Sequence, residues 1–451
     1  MSLSNLKKTD KTVYDLVKAE EKRQSTHLSL IPSENFFSPS VREAVGSVFM
    51  HKYSEGNIGK RYYEGNEIVD RLETLTKDRV GRLFKLPSNW DSNVQALAGS
   101  NANTAVYLAV LKPGDLIMAM YLPDGGHLSH GWSYDKEKLT SPSDRIYLGG
   151  SQKVNLSSRL FKVVQYKTNP STKIFDYDEL EKIALKYKPQ LIITGGTAYP
   201  RNIDYIRMKA IAKKVGALYM ADIAHEAGLV AAGVLPSPVG IADVVTMTTH
   251  KTLRSGRGAI ILSDKDTIAK INRAVLPGLQ GGPFDNNIAG ICVGLGEALK
   301  PNFKKYARQV IKNAQALAKE LQKYGFTIVS GGTDKHLVLV DMTSKGIFGK
   351  YTAKALDVAE IVLNMNTMPG ETRVPADPSA IRMGTPFVTT RGMKEPEMKK
   401  IAKLINDVVD EIRPWADLDF DLFMKKVKKS AVIKQVAKDV EKLTKYFPLD
   451  I

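Results

Sequence analysis

The chain has 451 residues, 43% hydrophobic and 25% charged, and a length of this order predicts two or three domains. Its single cysteine, Cys292, excludes an intramolecular disulfide and a cysteine-based metal cage, and because it has neither a membrane-length apolar run nor a signal-peptide core in residues 1–22, we expect a cytoplasmic protein. The net charge of +17 comes from lysines spread along the whole chain rather than from one basic stripe interleaved with aromatics, which favours solvated helix faces over a nucleic-acid function. Attraction of small anionic molecules and weak, salt-sensitive contact with RNA remain open.

The predicted elements fall into three regions. Residues 1–30 are predicted to form an N-terminal helical arm, and residues 286–451 a linking helix (286–324) followed by a smaller α+β domain. Between them, in residues 31–285, short apolar runs alternate with amphipathic stretches, as is typical of a mostly parallel sheet covered by helices on both faces. The predicted strands are 94–98, 116–120, 190–194, 217–221, 244–246 and 259–262, and the predicted helices include 103–111, 178–187 and 208–215.

A lysine stands out after the strand predicted at 244–246. Lys251 lies in a hydroxyl-rich segment, and ligands of such sheets gather at the carboxyl ends of strands. An amine that acts as a nucleophile must be partly deprotonated, which desolvation and the nearby cations His250, Arg254 and Arg257 favour. Judged on this segment alone, a solvent-facing loop lysine is the simpler interpretation.

One strand earlier, a carboxylate occupies the corresponding place. Asp222 follows the predicted strand 217–221, and His225 comes three residues later. A carboxylate at this edge can keep a pyridine nitrogen protonated, which makes the ring a better electron sink. The alternative is an ordinary helix cap at the end of a strand.

Glycine-rich turns supply further candidates. Residues 99–103 open a helix directly after a strand, where free N–H groups can bind a phosphate, and the loop 278–283 is also compatible with a phosphate. His127 follows Gly125-Gly126 and could lie flat against a ring, whereas no carboxylate pair nearby has metal-ligand spacing. Arg382 could bind a substrate carboxylate through two parallel hydrogen bonds. An ordinary turn or a surface salt bridge is the alternative at each place.

Taken together and in this order, these segments resemble the serine hydroxymethyltransferase family, from about residue 30 to residue 412. The resemblance implies the α/β fold of fold-type I pyridoxal-phosphate enzymes, with a mostly parallel seven-stranded sheet between helices in the large domain and a smaller α+β C-terminal domain. The motifs that carry it are Leu-Ile-Pro-Ser-Glu-Asn (30–35), Lys-Tyr-Ser-Glu-Gly (52–56), Gly-Lys-Arg-Tyr-Tyr (59–63), Gly-Gly-His (125–127), Asp-Ile-Ala-His (222–225), Gly-Leu-Val-Ala-Ala-Gly (228–233), Thr-Thr-His-Lys-Thr-Leu (248–253), Gln-Gly-Gly-Pro (280–283) and Ile-Arg-Met-Gly-Thr-Pro (381–386).

For the cofactor, the resemblance implies that Lys251 holds pyridoxal 5'-phosphate as a Schiff base. Asp222 would pair with the pyridine nitrogen, and His127 would stack on the ring. The remaining cofactor contacts would be Tyr53, Gly99, Ser100, Thr197, His225, His250, Gly281 and Gly282, with Tyr53 and Gly282 supplied by a neighbouring subunit. Shared active sites imply an obligate homodimer or a tetramer.

For the substrates, the resemblance implies reversible transfer of the serine hydroxymethyl carbon to tetrahydrofolate, giving glycine and 5,10-methylenetetrahydrofolate. Arg382 would bind the amino-acid carboxylate, with Ser33 and Tyr63 beside it. Glu55 would be the acid–base group near the substrate hydroxyl. The pterin site would be lined by Leu122, Gly126, Leu128 and Asn366.

Five places along the chain depart from the usual pattern of the family. Pro32 replaces a common alanine, Asp124 stands where many members carry histidine, and Glu226 replaces a small apolar residue. Ser255-Gly256 replaces the familiar Gly-Pro after the lysine. The loop 374–380, which in the family touches the pterin, lacks the usual Phe-Val-Thr-Ser-Gly segment.

Two other functions remain open at this point. A folate-independent aldolase of threonine type, with the same fold, would cleave β-hydroxy amino acids without a pterin; Glu55, Tyr63 and Asn366 favour the hydroxymethyltransferase. A catalytically silent relative that serves as a basic RNA-binding or scaffolding protein is suggested by the charge. Such a protein has no chemical need for all four of Lys251, Asp222, His127 and Arg382.

Overall fold

The structure is a computed structural model that describes residues 3–135, 141 and 143–450. Residues 1, 2 and 451, at the ends of the predicted arm and C-terminal domain, lie outside the described residues. The chain forms two compact units. The larger unit comprises Ser40–Arg308 and Pro369–Thr372, and the smaller unit comprises the residues up to Pro39, Gln309–Met368 and the residues from Arg373 onward.

The helices and strands are numbered in chain order. The strands are β1 (Leu28–Ser29), β2 (Gly56–Asn57), β3 (Lys60–Arg61), β4 (Trp90–Asn93), β5 (Leu116–Met120), β6 (Ser133–Tyr134), β7 (Ile146–Tyr147), β8 (Gln152–Lys153), β9 (Lys162–Tyr166), β10 (Leu191–Thr194), β11 (Leu218–Asp222), β12 (Val244–Thr248), β13 (Ala259–Asp264), β14 (Thr327–Ile328), β15 (Leu337–Asp341), β16 (Ile361–Val362), β17 (Asn364–Asn366) and β18 (Ala380–Gly384). The α-helices are α1 (Ser4–Thr9), α2 (Lys11–Thr26), α3 (Pro39–Val45), α4 (Glu67–Phe84), α5 (Gly99–Val110), α6 (Leu156–Leu160), α7 (Tyr177–Tyr187), α8 (Tyr205–Val215), α9 (Ala227–Ala231), α10 (Lys265–Val275), α11 (Asp285–Ala298), α12 (Pro301–Lys323), α13 (Gly349–Val358), α14 (Pro386–Thr390), α15 (Glu395–Ile412), α16 (Phe420–Lys429) and α17 (Ala431–Lys445). Short 3-10 helices lie at Val48–His51, Leu122–Asp124, Val329–Gly331, Thr343–Lys345 and Arg413–Trp415.

A mixed sheet forms the centre of the larger unit. Among the described residues it has eight strands in the order β4-β13-β12-β11-β10-β5-β9-β7. The five neighbours from β12 to β9 are parallel, and β13 and β7 run antiparallel to them. The α/β prediction with a mostly parallel sheet is confirmed. The sheet has one strand more than the seven predicted, because the two-residue strand β7 pairs with the edge of β9.

Two predicted elements of the sequence lie elsewhere in the structure. The strand expected at 94–98 is β4, which ends at Asn93, because the Asn93 side chain accepts a hydrogen bond from the Gln95 N–H and turns the chain. The single long helix expected at 286–324 is two helices, α11 and α12. The break falls just before Pro301, whose missing N–H suits the first position of a new helix.

The smaller unit is α+β. It contains an antiparallel sheet in the order β14-β15-β18-β17 and a parallel pair formed by β1 and β16. Its apolar core joins the sheet residues Val338, Val340, Ile381 and Met383 to helices α13, α15, α16 and α17. None of the helices in the described ranges is long and apolar enough to cross a membrane.

A buried arginine ties together three helix ends of the smaller unit. Arg391, directly after α14, is 6% exposed. Its guanidinium donates to the carbonyl oxygens of Gln24, Ser25 and His27 at the end of α2, and to those of Thr444 and Phe447 at the end of α17. Because the carboxyl end of a helix carries partial negative charge, a cation there stabilises both helices.

Candidate active site

The predicted lysine and carboxylate lie at the same edge of the sheet. Strands β11 and β12 are parallel neighbours, with Asp222 opposite Thr246. Asp222 is the last residue of β11, and Lys251 follows β12 by three residues. Lys251 is 9% exposed and Asp222 is 8% exposed. The lysine is therefore a buried residue at the mouth of the sheet and not a solvent-facing loop residue.

Hydrogen bonds fix the Asp222 carboxylate. Oδ2 accepts from Asn103 Nδ2 at 2.8 Å and lies 3.0 Å from His130 Nε2, while Oδ1 accepts from the Ala224 N–H at 2.9 Å. Burial opposes the charge, but the hydrogen bonds and charge of the neighbouring groups, His130 first, hold the pKa of Asp222 well below its usual range. The carboxylate is therefore ionised at neutral pH, as pairing with a protonated ring nitrogen requires.

The His127 imidazole is neutral. Its Nδ1 accepts from the Ser129 N–H at 3.2 Å and lies 2.7 Å from Ser129 Oγ, so the ring carries its proton on Nε2. Burial and the nearby His130 lower the pKa of His127 to about 4. Ligand atoms of His127, His130 and Asp222 lie within 4.8 Å of one another and could together hold a metal ion. In this structure Asp222 Oδ2 instead lies within hydrogen-bonding distance of Asn103 Nδ2 and His130 Nε2.

The start of α5 lies close to the end of β12. A Cβ on Gly99 would lie 2.8 Å from the Thr248 methyl group, so only glycine allows the helix to begin this close to the end of β12. Ser100 at this helix start is exposed. The N–H groups in the first turn of a helix have no partner within the helix, and they suit a phosphate. Thr197 is half-buried, and its hydroxyl donates to the Gly126 carbonyl at 2.9 Å.

These residues fit a phosphorylated pyridine aldehyde. They offer a buried amine, an anion site, an ionised carboxylate and a neutral imidazole. His250 adds a buried Nδ1 that has no hydrogen-bond partner among the described residues, which leaves it available to a bound group. His225 is buried, and its carbonyl accepts from Thr252 Oγ1 at 2.8 Å.

His250 is expected to make the free energy of unfolding depend on pH. Burial, with smaller effects of Arg257 and Lys251, lowers the pKa of His250 to about 3 from 6.5. The folded protein thus keeps the imidazole neutral where the unfolded chain binds a proton. The stability that this provides is complete above pH 6.5 and is lost as the pH falls toward 3. For the cofactor-free protein we expect His250 to account for a loss of roughly 2 kcal/mol between pH 6.5 and pH 5.

Urea unfolding of the His250→Gln variant measures this contribution. The variant should lose about 2 kcal/mol less than the parent protein over the same interval. His51→Gln, at an exposed histidine, is the matched control and should follow the parent protein. Identical slopes for His250→Gln and the parent would mean that His250 is protonated in the folded state.

A second set of predicted residues surrounds Glu55. The rings of Tyr53 and Tyr63 pack edge to face with centroids 5.3 Å apart. The charge of Glu55, more than burial, raises the pKa of Tyr63. A Cβ on Gly281 would lie 3.2 Å from Glu55 Oε1, so this loop approaches the carboxylate closely. A cavity of about 420 Å³ opens here, lined by Glu55, Tyr62 and the segment 276–281.

Arg61 fixes the backbone on both sides of Glu55. Its Nη1 donates to the carbonyl oxygens of Ser54 at 3.0 Å and Gly56 at 2.8 Å. The rest of the guanidinium binds Asp70 at 2.8 Å and Glu73 at 2.6 Å. Arg61 lies in the Gly-Lys-Arg-Tyr-Tyr motif (59–63), and this role for it was not predicted from the sequence.

The smaller unit carries the remaining predicted residues. Arg382, on β18, is half-buried, and its Nε donates to Asn364 Oδ1 at 3.1 Å. Burial lowers the pKa of Arg382 to about 10, so it stays charged at neutral pH. Gly384 N–H donates to the Leu30 carbonyl at 2.7 Å, which brings the segment before Ser33 to the same strand. Asn366 closes β17 and is also half-buried.

Two of the departures from the family pattern lie at close contacts in the structure. A Cβ on Gly384 would lie 2.6 Å from Pro32 Cα, so the proline segment packs directly on β18. The Ser255 hydroxyl donates to the Ile291 carbonyl of α11 at 3.1 Å, and a Cβ on Gly256 would lie 3.0 Å from Ile291 N. Ser255-Gly256 therefore fits a close approach of α11. Glu226 is buried.

Sequence reasoning missed the residues that orient the predicted ones. Asn103 and His130 both bind Asp222, and Ser129 links Asn103 Nδ2 (2.9 Å) to His127. The available signal was their place within the same two glycine-rich turns that supplied Ser100 and His127.

Comparison with known proteins gives matches along nearly the whole chain. A family model described as serine hydroxymethyltransferase matches residues 6–405. A serine hydroxymethyltransferase of Acidothermus cellulolyticus is 47% identical over 446 residues, which cover 99% of this chain and 97% of that protein. A serine hydroxymethyltransferase of Rickettsia akari is 46% identical over 446 residues, which cover 99% of this chain and 98% of that protein.

Proposed function

The chain belongs to the serine hydroxymethyltransferase family and is an enzyme of that class, and we propose that it transfers the hydroxymethyl carbon of serine to tetrahydrofolate with pyridoxal phosphate held by Lys251. The observation that carries the proposal is the buried Lys251 amine one parallel strand away from the ionised Asp222 carboxylate. The products are glycine and 5,10-methylenetetrahydrofolate.

Pyridoxal phosphate supplies an electron-withdrawing ring that stabilises negative charge on the amino-acid α-carbon. Asp222 keeps the proton on the ring nitrogen, because its own pKa is held low. The neutral His127 ring stacks without adding a positive charge. The start of α5 at Gly99 and Ser100 binds the phosphate, with Thr197, His225 and His250 as further contacts.

The substrate groups are assigned to charged and polar side chains. Arg382 binds the amino-acid carboxylate, with Ser33 and Tyr63 as further ligands. Glu55 holds and returns the proton of the serine hydroxyl, a task for a carboxyl group whose backbone is fixed by Arg61. Leu122, Gly126, Leu128 and Asn366 line the pterin site.

A homodimer is part of the proposal, with Tyr53 and Gly282 contributing to the partner's cofactor site. Four large apolar side chains around Glu55 and the loop 281–284 are exposed in the single chain. Tyr53 is 56%, Tyr62 73%, Tyr63 48% and Phe284 56% exposed. A cluster of exposed aromatic residues is characteristic of a protein interface.

Serine cleavage by the purified protein, with and without tetrahydrofolate, tests the function. We expect glycine to form from serine only when tetrahydrofolate is present. Rapid cleavage of threonine with no response to tetrahydrofolate would instead identify the threonine-type aldolase. If neither amino acid is cleaved after pyridoxal phosphate is added, the proposed function is wrong.

Replacing Glu55 with glutamine is expected to slow serine cleavage by about 100-fold while cofactor binding stays unchanged, because the amide cannot hold or return a proton. Stopped-flow measurement of glycine formation gives the rate, and the visible absorbance of the bound cofactor gives the occupancy. Glu67→Gln, at an exposed glutamate at the start of α4, is the matched control. An unaffected cleavage rate in Glu55→Gln would remove Glu55 from the acid–base role.

A further inference from the structure

Asp124 continues the β5–β9 pairing after both strands have ended. The last backbone hydrogen bond between these segments runs from the Tyr121 N–H to the Tyr166 carbonyl at 2.9 Å. The chain after β5 then turns into the 3-10 helix Leu122–Asp124. Asp124 Oδ2 accepts both the Thr168 N–H and the Thr168 hydroxyl, each at 2.8 Å. The side chain thus takes the place of a backbone acceptor that the turn has removed.

This arrangement buries a carboxyl group at a cost in stability. Asp124 is 2% exposed, and its Oδ1 has no hydrogen-bond partner among the described residues. Burial raises the pKa of Asp124, and the nearby Lys167 opposes that rise. Lys167 is itself buried, with its Nζ donating to the Ser141 carbonyl at 2.9 Å. Burying a carboxyl group with one oxygen that lacks a hydrogen bond lowers the stability of the folded protein, which indicates that Asp124 has a role beyond stability.

The turn held by Asp124 carries the residues assigned to the pterin. Gly125 and Gly126 follow directly, and their carbonyl oxygens accept the Thr197 N–H at 2.7 Å and the Thr197 hydroxyl at 2.9 Å. A Cβ on Gly126 would lie 2.3 Å from the Met120 carbonyl oxygen, so only glycine fits this close to the end of β5. The loop 122–128 is therefore fixed by Thr197 near Gly126 and by Thr168 at Asp124.

We propose that Asp124 is a positioning residue for the one-carbon acceptor. By binding Thr168, it sets the position of Leu122, Gly126 and Leu128, and so determines how tightly the pterin binds. The ring of His127, in the same loop, is held separately by Ser129. This inference rests on the proposed function, since it assigns the loop to the pterin.

Three variants test the hydrogen bonds. Asp124→Ala removes both acceptor oxygens, and Thr168→Val removes one of the two donors. Asp124→Asn keeps an acceptor oxygen for Thr168 and directs its amide toward the place of the unpartnered oxygen. Asp115→Asn is the control, because Asp115 is a partly exposed carboxylate at the amino end of the same strand and accepts from the Lys112 N–H at 2.8 Å.

The measurements are KM and kcat for tetrahydrofolate, KM for serine, and calorimetric titration of the glycine-saturated protein with tetrahydrofolate. In Asp124→Ala we expect KM and Kd for tetrahydrofolate to rise about tenfold. The kcat, the KM for serine and the cofactor absorbance should stay within about twofold of the parent values. Thr168→Val should show a smaller rise, and Asp124→Asn and Asp115→Asn should stay near the parent values.

Unchanged tetrahydrofolate binding in Asp124→Ala would overturn the inference. So would an Asp124→Asn variant as impaired as Asp124→Ala, or a loss of serine and cofactor binding in parallel with the loss of folate binding, which would indicate a general structural role. Failure of the proposed function itself would be seen separately, as a parent protein with no folate-dependent cleavage of serine.

Discussion

Replacing Lys251 with alanine is expected to abolish the visible absorbance of the lysine-bound cofactor and to slow serine cleavage by at least about a thousandfold. Lys251 is a buried lysine directly after β12, at the edge of the sheet where Asp222 ends β11. Alanine cannot attach an aldehyde, and no lysine adjoins this position in the segment 248–258. Absorbance spectra with added pyridoxal phosphate and a coupled assay for glycine measure the two effects.

Lys265→Ala, at an exposed lysine that begins α10, controls for the general loss of a positive charge and should leave both readouts unchanged. The urea unfolding midpoint of cofactor-free Lys251→Ala should stay close to that of the cofactor-free parent, because the truncation leaves the β11–β12 pairing intact. A Lys251→Ala variant that keeps the absorbance band of the parent protein would show that the cofactor is attached elsewhere.

The sequence indicated that Lys251 and Asp222 lie at one edge of the sheet because their placement follows a local rule, although the lysine segment alone favoured a solvent-facing loop residue. Each comes at the end of a short apolar run, and parallel strands end at one edge of the sheet, so two separate runs bring their following residues together. The same rule places the glycine-rich start of α5. The resemblance to a family then joined these residues into one site.

The residues that orient the site could not be predicted in this way. Asn103 and His130 are 119 and 92 residues from Asp222 in the chain, and no local periodicity encodes which polar side chain meets which carboxylate. The predicted bounds of the strand at 94–98 were wrong for a related reason. The run 94–98 has strand-like composition, but the Asn93 side chain ends the strand before it, a contact that hydrophobic pattern does not report.

Arg391 is the clearest case of a residue without a sequence signal. It follows Thr389-Thr390 and precedes glycine, a setting typical of an exposed helix end. In the structure its partners lie 53 to 56 residues later, at Thr444 and Phe447, and 364 to 367 residues earlier, at Gln24 to His27. Only the assembled fold reveals that one guanidinium serves both ends of the chain.

Replacing Arg391 with methionine is therefore expected to lower the free energy of unfolding of the smaller unit by about 3–5 kcal/mol. The thioether fills much of the volume but donates no hydrogen bond, so five carbonyl oxygens at the ends of α2 and α17 lose their partner. Burial lowers the pKa of Arg391 to about 10, so the lost group is a cation at neutral pH. Arg391→Lys should recover part of the loss, because an ammonium donates at most three hydrogen bonds.

Urea unfolding gives the change in free energy, and limited proteolysis locates it. In Arg391→Met, cleavage within the segment 11–27 should become faster than in the parent protein, since α2 has no buried residue of its own and depends on this contact at its end. Arg413→Met, at an exposed arginine after α15, is the matched control and should change the free energy by less than about 0.5 kcal/mol. Equal stability and equal proteolysis of Arg391→Met and Arg413→Met would show that the two helix ends are held by other contacts.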